Sequence, residues 1–261
     1  VGHPHLDQRR GVTGTAYPRR MPADWMTPLP VRQVVRARDS DLAPTTWPAT
    51  LAPVAQVLRD GLDLGPATVL VGENGTGKST LVEAIAIAYG LSAEGGSTGA
   101  MHSTRRTESD LSEHLSLVRG AGASRWGYFL RAETMHGLFT YLQDTLQQDF
   151  HRFSHGESFL AMINSRRFAD AGFFVMDEPE AGLSFTAQLA LVGALSDMVA
   201  DGRTQVLIAT HSPVLSTLPG ARILELDEEG LHERTWDDLD VVDHYRRFLD
   251  APERYLRHLR D

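Results

Sequence analysis

Apolar positions in this chain change spacing from one stretch to the next, and the changes mark out alternating strands and helices. "VRQVVRAR" (31–38) predicts an edge strand, and "LAPVAQVLRDGL" (51–62) has helical apolar spacing. "ATVLVG" (67–72) predicts a short buried strand that runs straight into a Gly-rich turn. "KSTLVEAIAIAYG" (78–90) follows as an Ala/Ile-rich helix closed by Gly90. From Ser92 to Ser109 the chain is Gly, Ser, Thr and charge, which reads as a mobile loop. "LSEHLSLV" resumes the order, followed by a strand "YFLRA" (128–132) and a helix from about Glu133 to Gln148. The second half predicts a helix from about Gly156 to Phe168, the strand "GFFVMD" and a helix across 184–200. After these come the strand "TQVLIAT", a short helix near 213–217, the strand "RILELD" and two charged helices. Continuous apolar strands alternating with helices imply an α/β fold, with a mainly parallel sheet covered on both faces. Residues 1–30, rich in Pro, read as an extended lead-in.

Composition narrows the classes without choosing among them. A chain of 261 residues, 42% hydrophobic and 23% charged, has ordinary globular values and suits one large domain or two small ones. No run approaches the roughly 18 apolar residues of a membrane-spanning helix, and the N-terminus lacks the apolar core of a signal peptide. The absence of cysteine excludes disulfides, thiolate metal sites and cysteine nucleophiles, and fits a reducing compartment. A net charge of −9 gives no general attraction to nucleic acid or anionic lipid. Arg105-Arg106 and Arg166-Arg167 leave a nucleic-acid partner open, although paired arginines are more often a solvated helix face. A soluble cytoplasmic protein is the expectation.

The chemistry begins at "GENGTGKS" (72–79), which satisfies G-x-x-x-x-G-K-[ST] between a predicted strand and a predicted helix. Glycines let such a loop wrap phosphate oxygens with consecutive backbone N–H groups, and the helix start adds its dipole. Gly72, Asn74, Gly75, Thr76, Gly77, Lys78, Ser79 and Thr80 form this cradle. Lys78 can reach the β- and γ-phosphates of ATP, and the Ser79 hydroxyl can ligate Mg²⁺. In "FFVMDEPEAGLS", four apolar residues deliver Asp177 and Glu178 to the C-terminal end of a strand, where parallel sheets bind ligands. There Asp177 can hold Mg²⁺ or its water, and Glu178 can polarise an attacking water.

The cradle, "FSHGES" (153–158), "FFVMDEPEAGLS" and "IATHS" stand in the order of the ABC-type ATPases, and the chain resembles their small stand-alone, AAA-family members. That resemblance implies a P-loop NTPase fold of ABC type, with a small antiparallel edge and a reduced helical lid. It divides the chain into a lead-in at 1–30 and an ATPase domain at 31–261, whose residues 91–153 hold a loop and the reduced helical subdomain. It also implies that Ser154, Gly156 and Glu157 take signature positions that cap the γ-phosphate held by a second protomer. His211 resembles the switch histidine, and Glu133 stands where the family has a glutamine. His155 replaces a usual signature glycine, and Ser184 replaces a common aspartate. Trp47 is a candidate to stack on adenine, as it is for the core. A hydrolase built on Ser154, His155 and Glu157 is set aside, because neighbouring side chains point apart and no G-x-S-x-G elbow presents the serine.

The function expected is an ATP-hydrolysing switch that dimerises around ATP and Mg²⁺. The alternatives are the ATPase subunit of a transporter and a DNA-repair or chromosome-associated ATPase. The short stretch between Glu133 and Ser154 leaves room for one helix, which weakens the transporter reading. No insertion is long enough for the coiled coil of a chromosome-type machine.

Overall fold

The computed structural model describes residues 29–98, 109–131, 171–200 and 202–257 of the 261. The first described elements are β1 (Gln33–Arg36), α1 (Ala52–Asp60), β2 (Leu62–Asp63), β3 (Ala67–Gly72) and α2 (Lys78–Tyr89). Next come β4 (Gly96–Ser97), β5 (Leu115–Val118), β6 (Gly127–Arg131), β7 (Phe173–Asp177) and α3 (Phe185–Ala200). The chain continues through β8 (Gln205–Thr210), β9 (Arg222–Leu226), β10 (Leu231–Arg234), α4 (Asp240–Asp250) and α5 (Pro252–Leu256). Lone turns of tighter helix occur at Leu111–His114, Leu215–Thr217 and Trp236–Asp238. The helices expected over 133–148 and 156–168 lie outside the described residues.

Seven strands form the central sheet in the order β10-β9-β3-β8-β7-β6-β4. Its five inner strands are parallel, and β10 and β4 close the two edges antiparallel. The mainly parallel sheet with a small antiparallel edge is therefore present as expected. The polar stretch after Ser92 is not wholly loop, since Gly96 and Ser97 pair with Phe129 and Tyr128.

A second sheet, β2-β1-β5, is wholly antiparallel. Here the expectation for 31–38 is corrected: β1 is not an edge but the middle strand, with β5 along one side and β2 along the other. The spacing within a strand reports which face is buried; its lateral neighbours come from distant sequence. α1 also ends sooner than its apolar spacing suggests. Gly61, at φ 77°, donates its N–H to Val57 O, and Leu62 turns away into β2.

Alternation along the central strands feeds two cores. Leu70, Phe173, Val175, Leu207 and Ala209 pack with α2, α1 and the small sheet. Val69, Val71, Phe174, Met176, Val206 and Ile208 pack on the opposite face with Leu191 and Leu195 of α3 and Val242 of α4. α2 is buried nearly all round, as its Ala/Ile-rich sequence requires. A central helix held so firmly fixes the position of the loop that precedes it.

Candidate nucleotide-binding site

The candidate residues gather where the parallel strands end. Register places Val71 opposite Thr210, Asp177 opposite Ala209, and Arg131 opposite Asp177. The cradle on β3 and the acids on β7 are not neighbours, because β8 runs between them and delivers His211.

Two glycines set the path of the loop. A Cβ on Gly72 would collide with Leu226 O of β9, so only glycine lets the chain turn there. Gly77 starts α2 in the left-handed region at φ 96°, and its Cβ would press within 3.1 Å of Leu51 Cδ1. Between them Asn74 and Gly75 are exposed, and Thr76 donates its hydroxyl to Glu73 O at 2.9 Å. Lys78 is buried and arches back over the loop, donating to Gly72 O and Glu73 O at 2.7 Å each. Burial pulls its pKa down, against the attraction of Glu178, Asp177, Glu180 and Glu73. Ser79 and Thr80 follow on the first turn of α2, both half-buried.

Ser79 Oγ donates to Asp177 Oδ1 at 2.9 Å, which links the cradle to the acidic strand across β8. Burial pushes the Asp177 carboxyl up to about 6, while the Ser79 hydrogen bond and Arg131 hold it lower than burial alone would. Two oxygens side by side, a hydroxyl and a carboxylate, suit a hard cation that takes its other ligands from phosphate and water. Among the described residues, no group of three His, Asp or Glu side chains could hold a metal without such help.

Glu178 turns the chain at the strand end with φ 49°, an unusual conformation for a residue with a side chain. Its N–H donates to Ala209 O, and its Oε1 meets His211 Nε2 at 2.8 Å. The His–Glu pair is half-exposed.

Some residues that organise the site escape the motif reading. Glu180 Oε1 accepts from Thr210 Oγ1 at 2.6 Å and from His211 N at 2.7 Å, so it fixes the backbone that carries the histidine. Its other oxygen, Oε2, is buried with no hydrogen-bond partner among the described residues. The second glutamate of "DEPE" is the sequence signal for it. Arg131 pairs with buried Glu83 at 2.6 Å, and Glu83 is the lone acid of α2. Ser184 Oγ accepts from Ala187 N at 3.3 Å as the cap of α3.

Glu133, Ser154, His155, Gly156 and Glu157 lie outside the described residues. Trp47 is half-exposed and does not line the cavity beside the cradle. No helix among the described residues is long and apolar enough to cross a membrane.

No curated protein matches the chain. Among solved structures it is similar to one described as "An inward-facing conformation of a putative metal-chelate type ABC transporter". That match has 16% identity and a TM-score of 0.41, and covers 69% of this chain and 76% of that one. It is also similar to the "SMC head domain from Thermotoga maritima", with 14% identity and a TM-score of 0.40, covering 67% of this chain and 92% of that one. The family described as "AAA domain, putative AbiEii toxin, Type IV TA system" matches over residues 67–173 and 150–217, which hold the cradle, both acids and His211. The match runs over more than half of the chain, and the protein belongs to this AAA-domain family of P-loop ATPases.

Proposed function

We propose that the protein binds ATP with Mg²⁺ in the Gly72–Ser79 cradle, hydrolyses it with Glu178 as general base, and uses the cycle as a dimeric switch. One observation carries the reading: a cradle, a Ser79–Asp177 oxygen pair and a Glu178–His211 pair meet at one edge of the parallel strands. Lys78 has three ammonium donors, two of them on loop carbonyls, so the third can meet a phosphate oxygen without the side chain leaving its place. Ser79 and Asp177 would hold Mg²⁺, which would supply neutralising charge to the phosphates. Glu178 takes the proton as water oxygen bonds to the γ-phosphorus, and the bond to the β-bridging oxygen breaks to leave ADP and phosphate. His211, with its ring nitrogen on Glu178, holds that carboxylate in position and is near enough to respond to loss of the γ-phosphate. Glu133 serves as the counterpart of the family's glutamine. Ser154, Gly156 and Glu157 supply the γ-phosphate cap from a second copy, as the resemblance implies.

Two variants test the chemistry. Lys78→Ala should abolish ATP binding, and calorimetry showing wild-type affinity would overturn the cradle assignment. Glu178→Gln should keep ATP binding while turnover falls by about 10²–10⁴-fold, the usual worth of a general base. Near wild-type hydrolysis in that variant would exclude Glu178 from the role.

A further inference from the structure

A cavity of about 710 Å³ opens on the outer side of the cradle, a volume in the ordinary range for a small-molecule site. It lies toward β9, whereas Asp177 and Glu178 lie beyond β8 on the other side of β3. The loop Gly72–Thr76 forms one wall and the start of α1 another, with the end of β9 beneath. The far wall is one face of α4, made by Asp240, Val241, His244 and Tyr245. That wall is fixed in place. Asp240 N donates to buried Glu225 Oε1 at 2.9 Å, Val242 is anchored in the core, and Arg246 stacks over the Trp236 ring at 5.1 Å.

The walls of the cavity differ in chemistry. At the loop end, backbone N–H groups suit phosphate. On the side of β9 and α4 stand the carboxylates of Asp227, Glu228 and Asp240, and among the described residues no lysine or arginine lines the cavity. Carboxylates repel phosphate and accept hydrogen bonds from hydroxyl and amine groups. Leu51, Pro53 and Val241 add apolar surface, and Tyr245 offers a ring that the fold leaves 54% exposed. A neutral, flat body that carries donors fits this side; a second anion does not.

We infer that α4 forms the nucleoside end of the site: Tyr245 stacks on a purine base with His244 at its edge, and Asp227, Glu228 and Asp240 take the ribose hydroxyls or the exocyclic amine. The inference rests on the ATPase reading and adds to it the wall that recognises the nucleoside. Helix α4 thereby becomes part of the site, and Trp47 does not.

Calorimetry with two probes, ATP·Mg²⁺ and inorganic tripolyphosphate·Mg²⁺, separates the nucleoside end from the phosphate end. Tyr245→Ala should weaken ATP about tenfold, the usual order for a lost stacking ring, and leave tripolyphosphate unchanged. Tyr245→Phe should restore wild-type affinity, and Val241→Trp, which fills the cavity, should weaken ATP alone. Tyr245 is half-exposed, so its truncation leaves the core intact and decides the matter even if Val241→Trp fails to fold. The inference is overturned if Tyr245→Ala binds ATP within twofold of wild type, or weakens both probes equally. A wild-type protein that binds neither probe would overturn the ATPase reading instead.

Discussion

Asp177 has a carboxyl group that the fold keeps from water, and burial pushes its pKa up to about 6. The folded value lies above the ordinary one, so ionising Asp177 costs stability in the metal-free protein. The cost is fully present above about pH 6 and disappears as the pH falls below the ordinary carboxylate value. A shift of this size corresponds to about 3 kcal/mol. Asp177→Asn should therefore raise the melting temperature at pH 8 in EDTA without nucleotide, the gain shrinking to nothing near pH 4, while Mg²⁺-dependent ATP binding is lost. Equal melting of variant and wild type at pH 8 would show that the carboxylate is not strained there. The burial was foreshadowed by the four apolar residues before it. That Lys78, Ser79, Asp177, Glu178 and His211 gather at one edge of the sheet was legible in the sequence, because the motifs tie each residue type to a fixed place on strand or helix. Glu180, Arg131 and Glu83 were not, because each matters through a partner far along the chain. The φ of 49° at Glu178 left no mark in the sequence either, since nothing about a glutamate announces a left-handed backbone.

The strands of the central sheet were legible wherever a run of apolar residues was long enough to show, as in Phe173–Asp177 and Gln205–Thr210. Two-residue β2 and β4 were not legible, because no period can be read from two positions. Pairing was the larger gap. β1 lies in the middle of its sheet because β5, some 80 residues on, comes back to pair with it. The approach of β3 to β9 belongs to the same class of fact, and it makes a prediction about Gly72. The Cβ of an alanine there would drive into Leu226 O, a backbone atom that cannot rotate away. Gly72→Ala should cost about 1–3 kcal/mol by overpacking and should also weaken ATP, since the cradle begins at this residue. Chemical denaturation and calorimetry read the two effects, and a variant unchanged in both would show that the loop tolerates the shift. Gly75, whose Cβ would meet nothing within 4 Å, is the natural control for the packing term.

At the scale of the molecule, the Glu178–His211 side of the site is only partly covered. The side chains of Glu178 and His211 are 39% and 33% exposed, although γ-phosphate charge needs donors on its far side as well as in the cradle. Two copies related by a two-fold axis can complete both sites at once, if each offers the Ser154–Glu157 segment to the other. The net charge of −9 per chain opposes this association at low ionic strength, so the nucleotide has to supply the balance. ATP·Mg²⁺ added to Glu178→Gln should accordingly double the mass seen by light scattering, and the same protein without ATP should remain monomeric. Ser154→Arg, placed in the proposed cap, should bind ATP with ordinary affinity but neither dimerise nor hydrolyse it. Raising the salt concentration should favour the ATP-bound dimer, because it screens the repulsion between two acidic chains. A mass that stays monomeric with ATP, or a Ser154→Arg protein that dimerises and turns over normally, would sink the dimeric switch. The proposed ATP site within a single chain would be untouched in either case, since Lys78, Ser79 and Asp177 all come from one copy.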